Sequence, residues 1–293
     1  MSRYIEFKVI GGDYNNMRKI LKIELERAFK NKYFFICILI ETIIIAIYSV
    51  SNLYPAITKT IPYFSQYMGT KLDFLPGALY YWLPFRNLPY RILFYGCLPI
   101  LAAIPYSTVM YKDMSTSYSN QYFIRTKKSY FYFSKLIVTF LSGGVVATFP
   151  FAVSLYINLM ILPVENASHF NGYFSVLYEK VFLSELFVFS PIIYCLVYLI
   201  LTFVAFGVIN CISFILTFCL SNGFVIKISP FCVFFMTFAM SNFMPKNALL
   251  WNYVLFYRIN KTDFWLGSIQ LVVIVIIAVL IAAFKSRKER DQL

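Results

Sequence analysis

The sequence predicts an all-α integral membrane protein with six transmembrane helices and an N-terminal interfacial amphipathic helix. Hydrophobic residues make up 60% of the 293 positions and charged residues only 13%, whereas a soluble domain carries about 25% charged residues. The apolar residues form long runs that are nearly free of charge, and a run of about 18 such residues is typical of a membrane span. The Lys and Arg residues concentrate in alternate connections, which favours an even number of spans.

Residues 1–32 form the predicted cytoplasmic N-terminal segment. They contain no short apolar run followed by a small-residue cleavage site, so we expect the N-terminus to be retained. Apolar and charged side chains take opposite faces of a predicted helix over 15–32, with Met17, Ile20, Leu21, Leu25, Ala28 and Phe29 on one face and Arg18, Lys19, Lys22, Glu26 and Lys30 on the other. Such a helix lies in the cytoplasmic interface with its apolar stripe in the acyl boundary. A simple basic anchor is the alternative.

Six apolar runs define a predicted transmembrane domain over 33–284, which a basic cytoplasmic tail follows at 285–293. The runs cover 33–53, 92–111, 136–162, 191–220, 228–244 and 264–284. If both termini share one side of the membrane, that side holds 18 of the 26 Lys and Arg residues. Because positive charge favours the cytoplasmic side, we expect a multi-pass plasma-membrane protein with both termini inside the cell.

Three connections are predicted to face outward. Residues 54–91 are rich in aromatics and proline, which favours interfacial or re-entrant structure over a free loop. Residues 245–263 are amphipathic and are predicted to lie along the outer surface. Residues 163–185 contain His169, the single histidine of the chain, and we interpret it as an ordinary loop residue.

The sequence lacks the motifs of several enzyme classes. No glycine is followed by lysine, so the chain has no Gly-x-x-x-x-Gly-Lys-Ser/Thr phosphate loop and cannot hydrolyse ATP by that route. A single histidine cannot form a His-Glu-x-x-His zinc site. We therefore expect no catalytic residue, cofactor site or metal site in this chain.

Glu41 is the one carboxylate that lies clearly inside a predicted span. Ion-coupled carriers use several intramembrane acids or a His/Asp/Glu chain, so a single acid is thin support for that class. Two interpretations stay open: Glu41 lines a polar transport path together with Asn210, or Asn210 or a tyrosine hydroxyl holds it as a structural group.

The connection between the second and third runs is a candidate partner-binding surface. It begins with Asp113 and a Ser/Thr-rich turn, continues with aromatic and basic residues, and leads into a return helix near Ser129. Aromatic residues and arginine dominate the energetics of protein interfaces. The candidate contact residues are Asp113, Tyr118, Tyr122, Phe123, Arg125, Lys127 and Lys128.

These features together resemble the ABC-2 type permeases, the membrane subunits of one class of ATP-driven exporters. The matching parts are residues 17–35 (MRKILKIELERAFKNKYFF), six spans with both ends inside, Asp113 after the second span, and the segments 125–129 and 132–135. The resemblance implies that residues 113–128 contact a separate ABC ATPase subunit, which carries the ATP and Mg, and that the permease pairs with a second identical or related copy. It also implies that 245–263 forms re-entrant helices at the outer mouth.

Two functions follow as hypotheses. The first is an export permease that moves an amphipathic peptide or a lipid-like molecule, powered by a separate ATPase. The second is a non-transporting membrane sensor or immunity protein that binds a toxin or a lipid. No feature of the sequence indicates binding to nucleic acid, since the positive charges do not form one patch.

Overall fold

Helices account for all the regular secondary structure in the part of the chain that the structure describes. This computed structural model describes residues 13–62, 77–82, 88–116, 118–162, 164, 183–240 and 261–288. The helices are α1 (Asp13–Phe29), α2 (Lys32–Pro55, continued by a π-helical turn at Ala56–Thr60), α3 (Leu88–Ala103), α4 (Val109–Ser115), α5 (Tyr118–Arg125), α6 (Lys128–Ile161), α7 (Ser184–Phe189), α8 (Pro191–Leu216), α9 (Gly223–Met240) and α10 (Lys261–Lys288).

Four stretches of these helices are long and apolar enough to cross a membrane. They are Lys32–Lys59, Lys128–Ile161, Pro191–Leu216 and Gly267–Arg287. The other two apolar helices are shorter, because α3 has 16 residues and the apolar part of α9 covers Gly223–Thr237. At a rise of 1.5 Å per residue, α3 is roughly 24 Å long, which is less than the ~30 Å hydrocarbon core of a bilayer. The chain has the helices of a membrane protein.

Two predicted boundaries were wrong, whereas the return helix expected near Ser129 is confirmed, since α6 begins at Lys128. The run at 92–111 is not one helix, because α3 ends at Ala103 and a turn at 104–108 precedes α4. Pro105 explains the break, since a proline disfavours helical backbone in the residue before it. The run at 136–162 belongs to a longer helix, since the return helix continues into it without interruption. Helix α9 begins at Gly223 and not at Ile228, so Lys227 and Pro230 lie inside the helix and not at its start.

Close contact between α6 and α8 forms the centre of the bundle. A Cβ atom added to Gly144 would lie 2.8 Å from the ring of Phe203, and one added to Gly207 would lie 2.8 Å from the ring of Phe140. Small residues at such positions let two helix backbones approach closely. Around this contact, buried aromatic and aliphatic side chains of α2, α3, α6, α8, α9 and α10 form one continuous core.

Helix α1 packs on the protein itself. Ile20 and Ala28 are buried. Ala28 lies in a cluster with Val138 of α6 and with Tyr106, which belongs to the turn at 104–108. The opposite face of α1 is exposed at Arg18, Lys19, Lys22, Glu26 and Lys30. The stripe predicted for the acyl boundary therefore contacts protein in this structure, and insertion of α1 into the membrane interface stays a prediction.

Several helix ends meet at one end of the bundle, which we call the α1 end. The ammonium of Lys227 in α9 lies 5.9 Å from the ring of Tyr33 at the start of α2. The ammonium of Lys285 in α10 lies 5.3 Å from the ring of Phe218, which in turn contacts Tyr132 of α6. The last turns of α10 and the first turns of α2, α6 and α9 thus share one end.

Some predictions fall on residues outside the described ranges. They include His169, residues 1–12 of the N-terminal segment, residues 289–293 of the tail, and most of the predicted outer segments 163–185 and 245–263.

Candidate functional site: a buried ion-pair cluster

Five polar side chains from three helices and one turn converge at the α1 end. Glu24 and Arg27 come from α1, Tyr106 from the turn at 104–108, Asp113 from α4 and Lys135 from α6. Glu24, Tyr106 and Lys135 are no more than 1% exposed, and Asp113 is 4% exposed. We call this group the ion-pair cluster.

Lys135 is the innermost residue of the ion-pair cluster. Its ammonium lies 3.0 Å from Oε2 of Glu24 and also bonds to Oδ2 of Asp113. The phenol of Tyr106 donates a 2.5 Å hydrogen bond to the same Oε2 of Glu24. A lysine is almost never fully buried unless it is paired, and here two carboxylates pair with it.

Arg27 closes the ion-pair cluster toward solvent. Its Nη1 and Nη2 atoms lie 2.8 Å from Oδ2 and Oδ1 of Asp113, a bidentate pair. Its Nη1 atom also lies 3.0 Å from Oε1 of Glu24. Bidentate arginine–carboxylate pairs fix orientation as well as adding energy, so Asp113 holds α4 in a defined position against α1.

The charges of the ion-pair cluster balance, with two carboxylates and two cations. Burial by itself would raise the pKa of Asp113, but the Arg27 hydrogen bonds and the charges of Lys135 and Arg27 outweigh it and lower this pKa. Removing water from ionised groups costs several kcal/mol for each ion, and only good geometry and full pairing offset that cost. Removing any one of the four charges therefore leaves a buried charge that is not fully paired.

The candidate contact residues of α5 rest on this cluster. The guanidinium of Arg27 lies 5.2 Å from the ring of Tyr118. The ring of Tyr118 makes an edge contact with Tyr122, whose centroid lies 5.3 Å away. Helix α5 is thereby joined to α1 as well as to its own chain neighbours α4 and α6.

Tyr122 and Phe123 are half-buried, and their rings pack against α6. Both rings contact Phe131 of α6 with centroid distances of 5.4 Å, and Phe123 also contacts Tyr132. The ammonium of Lys128 lies over the ring of Phe123 at 5.3 Å. These contacts suit the two aromatics to holding α5 on α6. The sequence instead predicted that they point outward and contact a partner protein.

The outward face of α5 is formed by other residues. Ile124 is 85% exposed, and Asn120 and Gln121 beside it are exposed. Lys127 is exposed just after the helix. Arg125 is the last residue of α5, and its side chain lies outside the described part of the chain. A single large aliphatic side chain on a polar surface helix can anchor a protein contact.

The two candidate transport-path residues do not meet. Asn210 in α8 is buried and donates a 2.9 Å hydrogen bond to the carbonyl of Thr139, so it joins α8 to α6. Glu41 in α2 is fully buried, and neither of its oxygens has a hydrogen-bond partner among the described residues. Among the described residues, Glu41 therefore has neither of the two structural partners that the sequence left open, Asn210 or a tyrosine hydroxyl.

Of the five members of the ion-pair cluster, the sequence identified only Asp113 as a candidate site residue and missed Glu24, Arg27, Tyr106 and Lys135. One signal was present: Glu24 lies four residues after Ile20 and four before Ala28, on the apolar face of α1. An acid on such a face needs a cationic partner when it is buried. In the described residues, no group of three or more His, Cys, Asp or Glu side chains could hold a metal ion.

Comparisons with protein-family models, curated proteins and solved structures found no match to this chain.

Proposed function

We propose that the chain is the membrane-spanning permease subunit of an ATP-driven exporter, powered by a separate ABC ATPase subunit. The observation that carries this proposal is the exposed face of α5. Aromatic contacts with α6 and the Arg27–Tyr118 contact hold this short helix from beneath, while Ile124 projects outward. A stiff helix with one projecting aliphatic side chain is suited to transmit movement from a partner.

The arrangement of helix ends supports six spans with both termini in the cytoplasm. The α1 end gathers the starts of α2 and α9 and the end of α10 through the Lys227–Tyr33 and Lys285–Phe218 contacts. Six alternating crossings, made by α2, α3, α6, α8, α9 and α10, return the chain to the side on which it began. The Lys and Arg distribution assigns this side to the cytoplasm of a plasma-membrane protein.

The energy source and the assembly follow from the same proposal. The sequence has no phosphate loop, so ATP and Mg would bind to the partner ATPase and work would reach this chain through α5. The proposed unit contains a second permease copy, identical or related. The proposed cargo is an amphipathic peptide or a lipid-like molecule.

The test combines a pull-down with one matched pair of variants. The tagged chain is purified in mild detergent, and co-purifying ATP-binding proteins are identified by mass spectrometry and titrated back as purified subunits. Ile124→Asp should weaken binding of the ATPase subunit about tenfold or more, as for a contact worth at least 1.4 kcal/mol. Asn120→Asp adds the same charge to the same helix and should have a smaller effect.

Two results would overturn the proposal. Equal ATPase binding by wild type and Ile124→Asp would remove α5 as the coupling surface. Recovery of the intact chain without any ATP-binding subunit, under conditions that preserve other membrane complexes, would favour the sensor or immunity function instead.

A further inference from the structure

Residues 77–82 form a short turn that is inserted between helices at the end of the bundle opposite to α1. Ala78, Leu79, Tyr81 and Trp82 are each no more than 1% exposed, and Gly77 is buried. Loops normally run over a protein surface, because a buried loop must find partners for its backbone polar groups. This turn finds several of those partners in side chains.

Among the hydrogen bonds that hold the turn, three join a side chain to a backbone carbonyl. The Tyr48 hydroxyl in α2 donates to the carbonyl of Tyr81 at 2.9 Å. The Asn158 amide in α6 donates to the carbonyl of Ala78 at 3.3 Å. The Trp82 indole donates in the other direction, to the Phe151 carbonyl of α6 at 3.0 Å. The helices thus hydrogen-bond to the main chain of the turn and to its indole, and the side chains of Leu79 and Tyr81 are buried against them as well.

Aromatic rings line the indole pocket. The ring of Trp82 makes an edge contact with Tyr198 of α8 at a centroid distance of 5.1 Å, and Tyr198 also contacts Phe151. Edge contacts of this kind add about 0.5–1.5 kcal/mol beyond area burial. The pocket therefore selects a large aromatic side chain with an N–H group.

Polar atoms remain unused next to this pocket. Asn158 Oδ1 and the Ser154 hydroxyl are buried and have no hydrogen-bond partner among the described residues. Because Ser154 and Asn158 are four residues apart on α6, they lie on one helical face together with Phe151. These atoms give the site spare hydrogen-bonding capacity that the turn itself does not use.

The geometry points to a peptide-binding site, formed by Tyr48, Phe151, Asn158 and Tyr198, that residues 77–82 occupy as an internal ligand. A peptide that contains a tryptophan and folds into the same turn can occupy the site in their place. That this peptide is the exported cargo rests on the proposed function, whereas the binding itself does not. Glu41 lies two helical turns before Tyr48 on the same buried face of α2, roughly 10 Å along the helix.

A tethered segment competes strongly with a free peptide, because tethering gives it an effective concentration in the millimolar range or above. The wild-type protein should therefore show little binding of an added peptide. Removing the indole of residue 82 weakens the internal ligand and leaves the pocket intact. The vacated site should then accept the indole of an added peptide.

The experiment uses the full chain in lipid nanodiscs, without any ATPase, and an N-terminally labelled hexapeptide Gly-Ala-Leu-Tyr-Tyr-Trp, which copies residues 77–82. Fluorescence anisotropy should report at least tenfold tighter binding to Trp82→Ala than to wild type. Trp265→Ala, which removes a 65% exposed tryptophan from α10, is the matched control and should behave as wild type. Adding Asn158→Ala to Trp82→Ala should abolish the gain.

Two outcomes would overturn the inference. One is no gain in peptide affinity for a folded Trp82→Ala protein, and the other is equal binding of a hexapeptide with the same residues in scrambled order. If Trp82→Ala does not fold, Trp82→Phe is the second variant, because it keeps most of the ring contact but removes the indole donor. Its affinity for the hexapeptide should be about threefold higher than that of wild type. An unchanged affinity would also refute the site. Since no ATPase is present, failure here leaves the pull-down test of α5 untouched.

Discussion

The ion-pair cluster makes a specific prediction for Lys135→Met. Methionine keeps the length and flexibility of lysine but removes its charge, so two buried carboxylates then face Arg27 alone. Breaking a buried pair by removing one partner typically costs about 3–5 kcal/mol, because the remaining charge is left uncompensated. Lys135 is 0% exposed and bonds to both Glu24 and Asp113, so we expect the upper part of this range.

A second substitution should restore part of the loss. Adding Glu24→Gln to Lys135→Met returns the cluster to one carboxylate and one cation. Residues in one network couple by about 0.5–3 kcal/mol, so the double variant should be more stable than Lys135→Met alone. Glu24→Gln by itself leaves an excess positive charge and should also destabilise the protein.

Helix α1 offers a matched control two residues away from Glu24. Glu26 lies on the exposed face and forms an ion pair with Lys30 at 3.5 Å, with both side chains largely exposed. Exposed pairs contribute about 0.2–1 kcal/mol. Glu26→Gln is the same chemical change on the same helix, and it should cost far less than Glu24→Gln.

The assay is reversible unfolding of the purified protein in mixed detergent micelles, which yields the free energy of unfolding for each variant. The reasoning is refuted if Lys135→Met costs no more than Glu26→Gln. It is also refuted if Glu24→Gln adds its full cost to that of Lys135→Met, because the two groups would then act independently.

Three further predictions follow from the structure. Gly144→Ala should lower the free energy of unfolding by about 1–3 kcal/mol, because its Cβ would overlap Phe203. Gly96→Ala, with nothing within 4 Å of its Cβ, should be neutral or stabilising. Unfolding measurements that rank the two variants in reverse would contradict the contact between α6 and α8. Glu41→Gln should change transport or cargo selectivity while leaving the unfolding midpoint near wild type, with exposed Glu185→Gln as control; unchanged transport would leave only a structural role. In a variant without the native cysteines, Lys288→Cys should react with a membrane-impermeant maleimide only after permeabilisation, and labelling of intact cells would end the proposed topology.

The apolar runs of the sequence locate the long helices because burial in lipid or in a helical core requires uninterrupted hydrophobic residues. Each of the six predicted runs contains a helix in the structure. Helix ends were harder to place, because local backbone chemistry decides them. Pro105 ends α3 although the apolar composition continues to Met110, and α6 extends below its apolar run because nothing interrupts the helix at 128–135.

The ion-pair cluster could be predicted only in part. Asp113 was identified as a candidate from its place after the second run, and Lys135 is visible as a lysine next to a long apolar run. Their partner Glu24 lies 111 residues away from Lys135 in sequence, and the spacing rules that relate charges on one helix do not reach that far. Similarly, a helix of eight residues rich in aromatics does not reveal which of its faces packs inward, so Ile124 was overlooked in favour of Tyr122 and Phe123.

Helix α6 connects the ion-pair cluster to the inserted turn at residues 77–82, and the packing of α6 constrains how it can move. Lys135 joins it to α1 and α4 at one end, and Phe151 and Asn158 hold the inserted turn at the other. Between them, Gly144 lies against Phe203 of α8, with 2.9 Å between the added Cβ and a backbone oxygen. Closely packed backbones resist sliding, because a shift of less than one helical turn would drive side chains into the glycine contact. Under the proposed function, a movement that the ATPase subunit imposes on α5 would therefore displace α6 and α8 together, and the inserted turn would change its position relative to α2.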